Sequence, residues 1–85
     1  MIDIHMHTIY SDGDKTVEEV LKMCEDKKLE YISITDHDTC KQYDDETLKY
    51  NKIFSGKIIK GSELHAVFQN KNIEILAYNI NPNLI

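Results

Sequence analysis

Residues 3–14, DIHMHTIYSDGD, decide how the chain is read. Ile2, Ile4 and Met6 alternate with Asp3, His5 and His7, the period-two pattern of a strand over residues 2–7. His5 and His7 are two apart and so share one face, while Met6 packs on the other side. That face carries groups that are costly to bury without partners. A divalent cation removes the cost, because both imidazoles can reach a single ion and cations relieve the repulsion among nearby carboxylates. Mixed nitrogen and oxygen donors suit zinc, manganese or iron better than calcium or magnesium.

Outward from this stretch the pattern alternates. After a Ser-Asp-Gly-Asp turn, Thr16 and Glu19 form a capping box, and Val17, Val20, Leu21 and Cys24 recur at helical spacing. This predicts an amphipathic helix over residues 16–29. YISIT at 31–35 is β-branched and aromatic and reads as a second, well-buried strand. Tyr43, Tyr50 and Phe54 fall on one stripe and predict a second helix over 40–55 with those aromatics in the core, ended by Ser55-Gly56. KIIKGSE at 57–63 reads as a third strand, and residues 64–68 and 73–79 as hairpin arms around Asn70-Lys71. The order implies an α/β fold with βαβ units, a parallel sheet and right-handed crossovers. Asn81-Pro82-Asn83 looks like the start of another helix, so residues 1–85 are expected to be one domain truncated at its C-terminal end.

Composition bounds the function. The chain has 85 residues, 29% charged and 41% hydrophobic, with fifteen acidic residues against ten lysines for a net charge of −5. This balance makes nucleic acid an unlikely partner. No apolar run reaches membrane-spanning length and no leader opens the chain, so a cytoplasmic protein is expected. Cys24 and Cys40 lack the spacing of a zinc knuckle or redox motif and read as reduced helix-face residues.

In α/β folds functional groups collect where strands end. The first strand ends with His5, His7 and then Asp12, the second with Asp36, His37 and Asp38, the third with Glu63. Each parallel strand thus delivers imidazoles or carboxylates to one rim.

These segments, DIHMHTIYSDGD, TDHDT and GSEL, resemble in order and spacing the first three motifs of the polymerase and histidinol phosphatase (PHP) domain family. The resemblance implies the N-terminal part, three parallel βα strands plus a hairpin, of a distorted (β/α)7 TIM-like barrel. It implies up to three divalent ions, with His5, His7, Asp12, His37 and Glu63 as ligands and Glu63 as a candidate bridge. Asp3, Asp36 and Asp38 would hold imidazole tautomers or bound water. Glu74 stands where many relatives carry a histidine ligand, and a carboxylate can replace it. The relatives' later ligands would lie beyond Ile85.

The implied activity is phosphoester hydrolysis of a small phosphorylated metabolite or nucleotide by metal-activated water. No Ser-His or Cys-His nucleophile and no Gly-rich phosphate loop competes with it. Two rivals remain: a non-catalytic, polymerase-associated or structural module, and a nuclease. His65 reads as a structural histidine. Asp36 and Asp38 read equally as helix caps, and Glu74 equally as an exposed hairpin carboxylate. Asp14 reads as support for the following helix, and Asp44-Asp45-Glu46 as a solvated helix face. A part-barrel would expose sheet edges, so self-association is expected.

Overall fold

The structure, a computed structural model, describes residues 1–79, so the helix start at Asn81-Pro82-Asn83 lies outside the described residues. The elements are β1 (Ile2–Met6), α1 (Val17–Asp26), β2 (Tyr31–Ile34), a 3₁₀ helix (Lys41–Asp44), α2 (Glu46–Lys49), β3 (Lys57–Ile58), β4 (Gly61–Phe68) and β5 (Lys71–Tyr78). β1, β2 and β3 form a parallel sheet in that order, and β4 pairs antiparallel with β5. The mixed α/β reading with a parallel sheet followed by a hairpin holds. None of the described helices is long and apolar enough to cross a membrane.

α1 forms for the reasons legible in its sequence. Thr16 Oγ1 accepts the Glu19 N–H at 3.2 Å, and Glu19 Oε1 accepts the Thr16 N–H at 3.1 Å. Each satisfies a donor the first helical turn cannot satisfy itself. Thr16, not Asp14, is the cap. The helix ends without glycine: Lys28 takes φ 54, Leu29 N–H bonds the Cys24 carbonyl at 3.2 Å and Lys28 N–H bonds the Glu25 carbonyl at 3.0 Å. This is a Schellman motif with lysine in the left-handed position.

Val17, Val20, Leu21 and Cys24 of α1 pack with Ile32, Ile34, Tyr43, Leu48 and Phe54 in one core. β2 is its centre, with Ile32, Ser33 and Ile34 fully buried, as befits a strand covered on both faces. β1 is only partly covered, since Ile2 is 59% exposed and only Met6 of its apolar set packs against the core. Both cysteines are buried and free.

Several sequence expectations are corrected. The helix over 40–55 is replaced by a 3₁₀ helix and a single α turn. Asp45 takes extended φ −61, ψ 127 between them, and its side chain caps Thr47 N–H at 2.9 Å rather than lying on a solvated helix face. Further on, Asn51 Oδ1 takes the N–H groups of Ile53 and Phe54 at 3.0 and 2.9 Å, offering the backbone an alternative to helical bonds. Tyr50 is consequently 63% exposed and outside the core, although Tyr43 and Phe54 are buried. Cys40 precedes the 3₁₀ helix instead of lying on a helix face.

The expected strand over 57–63 is split between β3 and the start of β4, with a parallel bridge His37↔Glu63 continuing the pairing beyond the break. The hairpin turn is Gln69-Asn70, closed by the pair Phe68↔Lys71, and not Asn70-Lys71. Gln69 and Asn70 have φ 50 and 62, the paired positive values that a two-residue type I′ turn demands.

Candidate metal centre

β1 and β2 do not pair in simple register. Between the pairs Asp3↔Ile32 and Met6↔Ile34, β1 spends one residue more than β2. Such a bulge bends a strand and re-aims its side chains. The His5 N–H within it is accepted by Asp3 Oδ1 at 3.2 Å. Tyr78 at the end of β5 donates its hydroxyl to the Ile4 carbonyl at 2.8 Å, tying the hairpin to the same bulge.

His37 and Glu63 come together through backbone pairing. Glu63 N–H bonds the Asp36 carbonyl at 3.1 Å, and Asp38 N–H bonds the Glu63 carbonyl at 2.9 Å. Asp38 adopts φ 50, which aspartate tolerates better than most residues, and its Oδ1 accepts the His65 N–H at 2.8 Å.

Glu63 is 7% exposed and sits at the centre of the cluster. Its Oε1 lies 2.6 Å from His5 Nε2 and 2.9 Å from His7 Nε2, and its Oε2 lies 3.7 Å from His37 Nδ1. Asp12 forms a second bridge, with Oδ1 2.9 Å from His7 Nδ1 and Oδ2 3.2 Å from His37 Nε2. Glu74 Oε2 approaches His37 Nδ1 at 3.8 Å. The donors fall into three overlapping groups, His5/His7/Glu63, His7/Asp12/His37 and His37/Glu63/Glu74, each with its donor atoms within 4.8 Å of one another. Three imidazoles and three carboxylates at this spacing fit divalent cations of the transition series.

Burial raises the Glu63 carboxyl, but the hydrogen bonds to His5 and His7 and the nearby charges of His37 and His5 outweigh it and leave it below the ordinary glutamate range. Desolvation likewise raises Asp12, and the His37 and His7 charges with the His7 bond bring it below the ordinary aspartate range. Both carboxylates are therefore ionised at neutral pH, the form that binds a cation.

All six candidate ligands, His5, His7, Asp12, His37, Glu63 and Glu74, are thus brought to one place. Of the expectation that Asp3, Asp36 and Asp38 hold imidazole tautomers or bound water, the imidazole part is corrected, since none of the three hydrogen-bonds a ring nitrogen among the described residues. Asp3 and Asp38 accept backbone N–H groups, and Asp36 accepts from the loop after β1. None of them caps a helix. His65 belongs to none of the three groups among the described residues, and its Nε2 lies 3.2 Å from Asn72 Oδ1.

Three contributors escaped the sequence reading. Thr8 and Ser11 both donate to Asp36, and Tyr10 donates its hydroxyl to Asp45 Oδ2 at 2.6 Å. The signal for the first two was present as hydroxyl residues three apart, directly after a strand. A cavity of about 270 Å³ between β1 and α1 borders His7 and no other member of the donor cluster, and its walls mix apolar residues such as Met6 and Leu29 with charged ones such as Asp3 and Lys27.

Comparison with known proteins agrees with this geometry. Residues 3–83 match the PHP domain. The chain is 32% identical over 81 residues to the 5'-3' exoribonuclease Rnm of Escherichia coli (strain K12), covering 92% of this chain and 27% of that protein. It is 37% identical over 73 residues to protein MJ1587 of Methanocaldococcus jannaschii, covering 73% of this chain and 42% of that one. A crystal structure from Bifidobacterium adolescentis, of a protein assigned to the metal-dependent phosphoesterases, superposes with a TM-score of 0.84 at 31% identity over 95% of this chain and 28% of that one. An amidohydrolase from Chromobacterium violaceum, at 23% identity and TM-score 0.84, shares the fold over 95% of this chain and 28% of its own. The chain therefore spans about a quarter of the length of the exoribonuclease and of both solved structures. With the match running through the DIHMHTIYSDGD, TDHDT and GSEL segments that carry all of the clustered donors but Glu74, the chain belongs to the PHP domain family.

Proposed function

We propose that this chain supplies donors to the metal centre of a phosphoesterase that hydrolyses a small phosphorylated metabolite or nucleotide. The observation that carries the reading is Glu63, a buried carboxylate with one oxygen facing His5 and His7 and the other facing His37. Two ions sharing this carboxylate would lie close enough to act on one phosphoryl group. Divalent cations, when bound, supply Lewis acidity toward phosphoryl oxygens and activate water.

The chain's own residues perform the holding. His5, His7 and Glu63 would take one ion and His37, Glu63 and Glu74 a second, with Asp12 the candidate ligand of a third. Asp12 also bridges the ring nitrogens of His7 and His37, fixing their orientation. The seven-stranded barrel is part of the same proposal, supported by the parallel order β1-β2-β3 and by the likeness to the Bifidobacterium protein.

Hydrolysis of a small phosphomonoester tests it. Activity is expected with manganese or zinc, loss with a chelator, and a fall of more than a hundredfold in His7→Ala. Activity that survives His7→Ala contradicts the site. A nuclease reading is favoured by the exoribonuclease relative. Faster cleavage of a single-stranded oligonucleotide than of the monoester would select it.

A further inference from the structure

We propose that Asp36 is a positioning residue, whose buried carboxylate sets the loop carrying Asp12 and thereby the affinity of the centre for divalent ions. The inference rests on the metal reading above. Asp36 is 0% exposed, and a carboxylate so buried requires hydrogen-bond compensation. Among the described residues, the hydrogen bonds to its side chain come from the loop after β1. Thr8 N–H and Ser11 Oγ–H each donate to Oδ1 at 2.6 Å, and Thr8 Oγ1–H donates to Oδ2 at 2.7 Å.

These bonds reach Asp12 through short links. Thr8 is itself 0% exposed, and its carbonyl receives Ser11 N–H at 3.1 Å and Gly13 N–H at 3.0 Å. Asp12 lies between those two anchored residues, so fixing Thr8 and Ser11 fixes where its carboxylate meets His7 and His37. On its backbone side Asp36 is held by Glu63 N–H at 3.1 Å and by the Ser62 hydroxyl at 2.9 Å, while His37 is the next residue along the chain. One residue therefore sets the relative placement of three donor-bearing segments. Among the described residues its side chain makes no hydrogen bond to a donor side chain, and three short hydrogen bonds from Thr8 and Ser11 hold it in place.

A purely structural carboxylate would also explain burial, so the test separates folding from placement. Manganese affinity is measured from the electron paramagnetic resonance signal of free Mn²⁺, at a temperature where circular dichroism shows each variant folded. Asp36→Asn is expected to bind manganese about tenfold more weakly than the unsubstituted protein. In an Asp12→Ala background the same substitution is expected to cause little further loss, since its effect passes through Asp12. Unchanged affinity in folded Asp36→Asn, or losses that multiply in the double variant, would overturn the inference. Should Asp36→Asn not fold, Ser11→Ala, which keeps the carboxylate and removes one bond, carries the same comparison with a smaller loss. If the unsubstituted protein binds no manganese, the metal reading falls, and this inference falls with it. Binding that persists unaltered in the variants overturns only the role of Asp36.

Discussion

The parallel sheet and the hairpin are built to different standards of burial. β2 is buried on both faces, its Ile32 and Ile34 sharing one core with Leu21 and Cys24 of α1, whereas the hairpin beyond Glu63 is open, with Phe68 63% and Ile75 46% exposed. Yet the donor cluster takes three imidazoles and Asp12 from the first region and Glu63 and Glu74 from the second. The contrast teaches that the centre lies at a seam. His37 follows the buried β2, His5 stands on the partly covered β1 beside it and His7 just after that strand, and two of the three carboxylates are delivered to them by a strand pair that has little core of its own. Cations bound there would join the two regions, so metal affinity and hairpin placement are coupled.

The comparison can be broken most directly by unequal core substitutions. Leu21→Ala is expected to cost about 2–5 kcal/mol, since it removes a fully buried side chain from a close-packed core. Ile75→Ala, on the open face, is expected to cost less than about 1 kcal/mol. Urea denaturation checks both, and equal losses would mean that the hairpin shares the core's burial.

A smaller effect probes the loop that brings Asp12 to the sheet. A Cβ on Gly13 would lie 2.8 Å from the carbonyl carbon of His7 and 2.9 Å from that of Thr8, both backbone atoms. Gly13→Ala is therefore expected to displace the loop at a cost of about 1–3 kcal/mol, with weaker manganese binding. Full retention of both would show that the approach is not tight.

Tyr10 gives a smaller, pH-dependent test. Its hydroxyl bond holds the Asp45 carboxyl below the ordinary aspartate range against the opposing effect of burial, and raises its own phenol. A lowered carboxyl stabilises fully above its unfolded value, about pH 3.9, and loses that contribution as pH falls through the lowered value. A raised phenol keeps its contribution below about pH 10 and loses it as pH rises through the raised value. The stability difference between the unsubstituted protein and Tyr10→Phe should thus be under about 1 kcal/mol, flat across the neutral range and shrinking at both extremes. A difference that does not shrink as pH falls through the lowered carboxyl value would contradict the bond.

The smallest change expected is a gain. Lys28 holds φ 54 at the end of α1. Relieving a left-handed non-glycine residue recovers about 1–2 kcal/mol, and glycine's extra chain entropy takes back about 0.5–1 kcal/mol. Lys28→Gly should raise stability by about 0.5 kcal/mol, which the same denaturation experiment detects, and a loss would show that the Lys28 side chain contributes more than its backbone costs.

His5 and His7 were legible because they share a face by period two, and His37 and Glu63 because they follow successive parallel strands and meet across a parallel bridge beyond them, whereas Glu74 came only from the family resemblance. α1 was legible through Thr16 and Glu19, whose capping is local. The helix expected over 40–55 was not, because Asp45 and Asn51 redirect the backbone through side-chain bonds that aromatic spacing does not register. Likewise the β1 bulge arises from pairing between segments far apart in sequence, which no local pattern encodes. Tyr50 keeps its place on the helical stripe in the sequence and loses it once the helix is interrupted.

A crystal grown with manganese, examined by anomalous scattering, tests the central claim at its source. Density is expected at coordinating distance, about 2.0–2.2 Å, from His5 Nε2, His7 Nε2 and Glu63 Oε1 together. Those three side chains turned apart, with no anomalous density between them at saturating manganese, would contradict the account.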